Sequence, residues 1–429
     1  MAGGDRISIE QMRRYGRMNI LAGFLIWGFA LAGISMIMPI MYNSISQDMG
    51  WTIGETTRFM AIKAAVSAFG GLFAGSLFVK FGIKRILVPA IATVGTATTL
   101  LYFVKGLAFY YSIAAVTGFA SILCLVAIQI TLAQWYSASL GRITAYAMLG
   151  GALAGAIIPM SVAWGLRHFD WHATAATGGI FILVVLTTAM IVLVRESPTP
   201  YGYSSEELDP GNRPAPPPVA GAAAADGAPV DRGPEFKSIV RTPQFALLLF
   251  AVALSGAISN GVNEYIPLFI ERQTDLGAYT AAMGFTIILL ISGLSKIIFG
   301  WLFDRFSTKG VALCWAICGV AALLTFPVSG FYTFLIFTIV RGLSHGGIVV
   351  QTPILARHIY GVKPLAQVIS LLSAAFYLGT SAGIAIIGVA VDVSGGFTIP
   401  FLTVAGIAFV AALLALRFKP KYWFGYQGR

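Results

Sequence analysis

Charge is scarce in this chain. Only 10 % of its 429 residues are Asp, Glu, Lys or Arg, where a soluble domain carries roughly 25 %. That little charge cannot cover a water-facing surface. With 57 % hydrophobic residues and a mean hydropathy of +0.82, a soluble globular protein is excluded. Cysteine is scarcer still: Cys124, Cys314 and Cys318 all lie in apolar runs. Cys314 and Cys318 stand one helical turn apart, but no His or further Cys completes a metal set. They read as small packing residues, and no metal is expected. Also missing are a Gly-x-Ser-x-Gly elbow, a Walker loop and a His-Glu-x-x-His helix. Without them the chain reads as neither an enzyme nor an ATP-driven pump, and no cofactor is expected. The one excess is basic, a net charge of +11. The basic residues are scattered between apolar runs and form no basic domain, so a nucleic-acid partner is excluded as well.

What is present is apolar length. A membrane-spanning helix needs about 20 apolar residues, and twelve such runs follow one another: about 19–43, 55–80, 84–105, 107–136, 141–167, 173–195, 243–271, 279–303, 309–329, 331–359, 364–391 and 396–418. Arg13, Arg14 and Arg17 precede the first, as in a signal peptide. Its apolar core is too long for that and no small-residue cleavage site follows, so it counts as span 1. Lysines and arginines crowd the N-terminus, alternate loops and the C-terminus, while the opposite loops hold Arg58, Lys105, Arg167 and Arg272. The positive-inside bias places both termini in the cytoplasm of an inner membrane. The longest polar stretch contains "PGNRPAPPPVAGAAAADGAP" and has the composition of a flexible linker. The expected organisation is a cytoplasmic tail over 1–18, a six-helix bundle over 19–195, a cytoplasmic linker over 196–242, a second six-helix bundle over 243–418 and a tail over 419–429.

The halves echo each other. "GSLFVKFGIKR" (Gly75 to Arg85) and "GWLFDRFSTKG" (Gly300 to Gly310) close spans 2 and 8 alike. "IMPIMYNSISQDMG" is answered by "YIPLFIERQTDLG", and "FYYSIAAVTG" by "FYTFLIFTIVRG", with Gln129 and Gln351 at the same offset. Paired six-span halves are the trace of a transporter built from repeats, with its site near the midplane. The chain resembles the major facilitator superfamily over nearly its whole length. That family's loop signature, Gly-x-Leu-x-Asp-Arg-x-Gly-x-Lys/Arg, is matched at Gly75, Leu77, Gly82, Lys84 and Arg85, with Val79 where the aspartate belongs. The second copy matches at Gly300, Leu302, Asp304, Arg305 and Lys309. "SGLSKIIFGWLFDRFS" is similar to helix 8 of the oxalate–formate and monocarboxylate transporter group, where a cation stands four residues before the loop glycine. Lys296 holds that place. The resemblance implies an all-α membrane protein of twelve transmembrane helices in two pseudo-symmetric six-helix halves. It implies a gating role for Gly75, Gly82, Arg85, Arg142, Gly300, Asp304 and Arg305, with Asp304 facing a helix N-terminus near Gly141 and Arg142.

Ionisable groups inside spans mark function by default. Lys296 lies roughly 10 Å deep by helical rise, and its stem tilts away from the nearer water. It is either a packing lysine bonded to carbonyls or an anion-binding one. Lys63 either snorkels outward or shares the cavity. Arg341 and His345 share one face of span 10. The arginine is a structural support or a substrate contact; the histidine is a buried neutral ring, a substrate contact or a proton carrier. Glu264, with Asn260 and Asn263 nearby, either pairs with Arg58 or lines an outer vestibule. Asp392 is expected at the surface. Trp27, Gln129, Tyr146, Gln351, Phe376 and Tyr377 are further candidates; Gln129 and Tyr377 rank higher because a buried polar group needs a partner. Spans 1 to 6 have no interior carboxylate, so the balance favours an anion. The expected function is alternating-access transport of small organic anions, carboxylates, by exchange or proton symport. The site would be Lys296, Arg341, His345, Lys63, Gln129, Tyr377, Asn260 and Glu264. Rivals are a proton-coupled transporter of a neutral or cationic compound and a transporter-like receptor. Beyond substrate, protons and lipid bilayer no partner is implied, and a monomer is expected.

Overall fold

The computed structural model describes residues 8–136, 140–203, 205–209, 234–361 and 364–421. The rest of the expected linker and tails lie outside the described residues, as do the side chains of Val79, Arg142 and Asp304, the surroundings of Gly75, and Lys363. Among the described residues there are twelve long helices and no strand. They are α1 Ile9–Met49, α2 Ile53–Phe81, α3 Ile83–Phe103, α4 Leu107–Trp135, α5 Leu140–His168, α6 Trp171–Leu193, α7 over 243–273, α8 Gly277–Phe306, α9 Thr308–Leu323, α10 Phe331–Tyr360, α11 Leu365–Ser394 and α12 Thr398–Arg417. Ten are long and apolar enough to cross a membrane; α2 and the shorter α9 are the remaining two.

Local chemistry sets where these helices begin. The first starts at Ile9, well before the apolar run at 19, because Ser8 caps it by accepting from the Gln11 N–H at 3.3 Å. Asp170 caps α6 through the Ala173 N–H at 2.6 Å. Thr242 caps α7, with Pro243 in the first turn where no N–H is needed.

The helices form two compact units. One holds the described residues up to Ile37 and from Val66 to the end of the first half. The other holds Met38–Ala65 together with the described residues of the second half. The hairpin joining α1 to α2 therefore packs with the C-terminal helices, although its sequence belongs to the N-terminal run. Pro39 inside α1 lies at that boundary.

Within the first unit the core is apolar. Ile26, Phe78, Leu87, Ile91, Val94, Ile128, Leu132 and Ile182 pack together. The middle of α1 is a π-helical segment, Ile26–Leu31. There Gly28 lies against Gly150 of α5, so closely that a Cβ on Gly28 would come within 2.7 Å of the Gly150 carbonyl oxygen. The second unit repeats this device. In α7, Ala257–Gly261 is π-helical, and Gly256 and Gly379 let α7 and α11 touch backbone to backbone. Such bulges are frequent at functional sites.

The two copies of the loop motif share a turn despite their different residues. Gly82 adopts φ +84° before α3, and Ser307, at the same place in the second copy, adopts φ +50° before α9. Glycine takes this conformation freely, whereas serine is strained there. Around the first turn the Glu196 carboxylate accepts from the Lys84 N–H at 2.7 Å, and the Lys84 ammonium donates to the Ile191 and Val194 carbonyls. Around the second, the Ser307 hydroxyl lies 2.9 Å from His358 Nδ1. Arg85 is exposed, and Arg305 lies over the rings of Trp301 and Phe306 at 5.5 and 5.7 Å.

Candidate functional site

The second unit gathers the buried charge. Among the described residues, Lys63, Glu264, Arg341, His345 and Gln351 are all buried, and all belong to it. Their arrangement starts from a defect in α7. After the π-helical turn the helix breaks at Glu264 and Tyr265 and restarts at Ile266. Pro267 has no N–H to give the Asn263 carbonyl, which fits the break in the helix at this point.

Arg341 braces the π-helical turn that precedes the break. Its Nη2 donates to the Ser259 carbonyl at 2.5 Å, and its Nη1 to the Ile258 carbonyl at 3.2 Å and to Cys318 Sγ at 3.1 Å. Its Nε donates to Asn263 Oδ1 at 3.1 Å. Three of these bonds hold the broken helix and the fourth reaches Cys318 of α9, which together occupy most of its five donors. Of the two readings of Arg341, this geometry is that of the structural support. His345, one turn further along α10, is buried with Nδ1 2.9 Å from the Ser259 hydroxyl, and the Arg341 and Lys296 charges both act on its ring. Lys296 on α8 is half-buried, and among the described residues no carboxylate acts on it.

Gln351 closes the inner side of the cluster. Its Oε1 accepts from Trp315 Nε1 at 2.5 Å and its Nε2 donates to the Ser255 hydroxyl at 2.6 Å. Both ends of the amide are satisfied, so it positions α7 against α9 and α10. Cys314 and Cys318 are buried free thiols, as packing residues are.

A second polar cluster joins the 38–65 hairpin to α7 and α11. Tyr42 donates to Glu264 Oε2 at 2.9 Å, and the Lys63 and Glu264 charges act on each other. Glu264 therefore faces Lys63 and Tyr42, not Arg58, and Lys63 is buried and does not reach out to water. The Tyr265 hydroxyl lies 2.7 Å from Thr57 Oγ1 and donates to the Ile384 carbonyl. Glu271 accepts from Asn43 at 2.6 Å, and Arg272 donates to Asn43 and Ser46 at 2.6 and 3.0 Å. Asp392 lies at the surface, but its two carboxylate oxygens accept from the Ile53 and Gly54 N–H groups at 2.9 and 2.8 Å. It thus caps the N-terminus of α2, where an anion is favoured by the exposed donors and the helix dipole. Neither this cap nor the π-helical turns show in the sequence. Each depends on which helices meet, and only the Gly and Pro of "SNGVNEYIP" hint at the irregular backbone.

The remaining candidates make no hydrogen bond to these clusters among the described residues. Gln129 and Tyr146 are exposed, so the reason for ranking Gln129 highly, a buried amide in want of a partner, does not apply. Tyr377 is half-buried with its ring edge-on to buried Phe376 at 5.8 Å. Asn260 is half-buried on the π-helical turn. Trp27 Nε1 is buried without a hydrogen-bond partner among the described residues.

The family model described as Major Facilitator Superfamily matches residues 23–309 and 275–422. The chain belongs to the Major Facilitator Superfamily. It is an integral membrane transporter, not an enzyme. A relative from Mycobacterium tuberculosis, described as "Probable nitrate/nitrite transporter NarK2", is 27 % identical over 338 residues, covering 73 % of this chain and 75 % of its own length. Among solved structures, the transporter is similar to a bacterial homolog of the human lysosomal transporter Spinster in an inward-facing, occupied conformation. The TM-score is 0.71 at 12 % identity, over 95 % of this chain and 98 % of that one. A mutant of the nucleoside transporter NupG gives a TM-score of 0.70 at 13 % identity, over 95 % and 99 %. At such identities the likeness is one of fold.

Proposed function

We propose that this transporter carries small organic anions, carboxylates, across the inner membrane by alternating access, with both chain termini in the cytoplasm. The observation that carries the reading is Lys296. It is a half-buried ammonium in the middle of the C-terminal unit, beside His345, with no carboxylate acting on it among the described residues. A cation left unanswered inside a bundle is costly, and an anionic substrate supplies what it lacks. Asn260 and Tyr377 are polar groups able to orient a small planar ligand. Gly75, Gly82, Arg85, Arg142, Gly300, Asp304 and Arg305 serve as gating elements in this reading.

A second reading is favoured by the mycobacterial relative. Nitrate and nitrite are planar oxoanions, and an ammonium that pairs with a carboxylate can pair with them too. A thermal-shift screen of the purified transporter separates the two. Formate, oxalate, lactate and benzoate are set against nitrate and nitrite, followed by counterflow in proteoliposomes with whichever anion stabilises. Stabilisation by carboxylates, lost in Lys296→Ala, is the expected result. Stabilisation by nitrate or nitrite alone replaces the organic anion by an inorganic one. Stabilisation by neutral or cationic compounds alone removes the anion reading. Binding without counterflow makes the protein a receptor.

A further inference from the structure

The first turns of α1 precede the apolar core of the first unit. The helix begins at Ile9, ten residues ahead of the apolar run at 19, so roughly 15 Å of it stands before the span. This stretch packs within its own unit. Met12 is buried together with Trp135, at the end of α4, and with Leu208, in the short helical turn over 205–208. Trp135 gives its indole N–H to the Arg195 carbonyl at 2.8 Å, and Asn19 of α1 bonds to both backbone groups of Arg195 at 3.0 Å. The start of α1, the end of α4 and the chain that follows α6 are thus held against one another.

Where they meet lies a recess of about 650 Å³, within the range of about 300–1,000 Å³ that small-molecule sites occupy. Its buried floor is Met12 and Trp135, with Tyr136 beside them. Trp135 has already spent its N–H, so what it offers the recess is apolar ring. Gly16 leaves room for Tyr136, whose hydroxyl lies only 2.8 Å from where a Cβ on Gly16 would stand. Burial and the nearby Asp209 push the Tyr136 phenol up to about 12, against the opposing charge of Arg17, and no hydrogen bond acts on it among the described residues. It is therefore a neutral O–H donor at ordinary pH. Arg13 and Arg17 stand on the rim, exposed and one helical turn apart, and among the described residues neither takes part in an ion pair. Glu10 is the single carboxylate of the described lining, so the wall is positive on balance.

We propose that this recess binds an aryl or nucleoside phosphate, a second ligand besides the transported one. Two guanidinium forks one turn apart present paired donors to a dianionic phosphate. A carboxylate, with one charge and two oxygens, answers only one of them. An aromatic ring behind the phosphate exchanges water for the Met12 and Trp135 floor. A phospholipid carries the same phosphate, but its acyl chains need the apolar span, and this wall stands on the turns before it. The soluble source is the one that fits. Because α1 runs on from these turns to Met49, occupancy clamps one end of a helix that crosses the membrane.

The test is calorimetric titration of the full-length transporter in phosphatidylcholine nanodiscs with phenyl phosphate, AMP, inorganic phosphate and benzyl alcohol. Phenyl phosphate and AMP are expected to bind at least about tenfold tighter than either fragment, inorganic phosphate or benzyl alcohol. Arg13→Gln and Arg17→Gln each weaken that binding by at least about tenfold. Arg14→Gln, exposed on the same helix but outside the lining, leaves it unchanged. All three positions are exposed, so the variants are expected to fold. Equal weakening by Arg14→Gln makes this a diffuse basic surface and overturns the site. Inorganic phosphate bound as tightly as phenyl phosphate removes the aromatic floor from recognition and overturns it too. Binding lost in Lys296→Ala but kept in the Arg13 and Arg17 variants puts the ligand on the transport site, which overturns the second site and leaves the anion reading standing. Nanodiscs containing phosphatidylglycerol provide the last arm. If that lipid displaces AMP through Arg13 and Arg17, the phosphate belongs to the bilayer and the soluble ligand is overturned. No heat with either phenyl phosphate or AMP overturns the proposal outright.

Discussion

In the first unit, α1 meets α5 at Gly28 and Gly150, and the buried polar groups are Asn19, Thr98, Thr117, Ser121 and Thr131. In the second, α7 meets α11 through Gly256 and Gly379, and around that contact lie Glu264, Arg341, His345 and Gln351, with Lys63 brought in by the hairpin. The backbone device is repeated but the side chains that fill it are not. The buried threonines of the first unit satisfy themselves on their own helix, Thr98 with the Val94 carbonyl, Thr117 with the Ile113 carbonyl and Thr131 with the Ala127 carbonyl. Arginine and glutamate cannot do so, and their partners lie on other helices. A repeat can thus supply two similar scaffolds while one of them carries the ionic chemistry. The difference can be tested from either side.

The largest effect belongs to Lys296. Removing the charge on which an anion depends while the anion stays buried costs several kcal/mol. Lys296→Ala is expected to lower anion uptake by at least about 100-fold, with the protein still present in the membrane at near wild-type amounts. Lys296→Arg, which keeps the charge and offers paired donors, restores part of it. Wild-type uptake by the alanine variant would remove the ammonium from the mechanism and with it the contrast between the units.

A sharper form of the contrast compares two glutamines at the same place in the repeat. Gln351 is clamped between Trp315 and Ser255, whereas Gln129 is exposed. Gln351→Ala orphans a buried indole N–H and opens a hole, at a cost of about 1–3 kcal/mol. It should lower the thermal midpoint of the purified protein by several degrees. Gln129→Ala is expected to leave the midpoint in place. Equal shifts in both would mean that the halves are packed alike and that the difference is one of exposure only.

The sequence carried some of this plainly. Twelve runs of apolar residues are legible because a bilayer imposes a length, and the duplicated loop is legible because it repeats. Lys63, Glu264, Lys296, Arg341 and His345 stand out because an ionisable residue is rare in such a run. Their partners are another matter. Glu264 is separated from Tyr42 by 222 positions, and Arg341 from Ser259 by 82. No local pattern encodes which helix comes alongside. The same holds for the hairpin, whose sequence runs on from α1 but whose side chains bond to α7 and α11. The π-helical turns are invisible for a different reason: an extra residue in one turn changes no hydrophobic pattern over so short a stretch.

The hairpin gives a third test. Asp392 accepts from two N–H groups at the start of α2. An N-terminal cap of this kind contributes about 0.5–2 kcal/mol, small against folding but enough to shift two nearly equal conformations. Asp392→Ala is expected to raise the labelling of Ala61→Cys, a buried hairpin position, by about 2–10-fold with a membrane-impermeant maleimide. Asp392→Asn retains an acceptor and falls between. No change in labelling would mean that the hairpin is held by Tyr265, Asn43 and Arg272 without help from the cap.

The smallest effect is expected at the loop turn that the two halves share. Gly82 and Ser307 both take positive φ, and only the serine is strained by it, at about 1–3 kcal/mol. Glycine at 307 relieves that strain. It also removes the hydroxyl that lies 2.9 Å from His358 Nδ1, a bond that contributes about 0.5–1.5 kcal/mol, and it loosens the unfolded chain by a further amount near 0.5–1 kcal/mol. The gain and the two losses nearly cancel, so Ser307→Gly should move the thermal midpoint by no more than about one or two degrees. His358→Ala removes the bond and keeps the strain, and it is expected to destabilise more than Ser307→Gly does. A clear stabilisation by Ser307→Gly would show that the hydrogen bond offsets little of the strain, and that the second copy has kept its serine for a reason other than stability. A clear loss would show the reverse, that His358 is what holds a serine in a turn the first copy leaves to glycine.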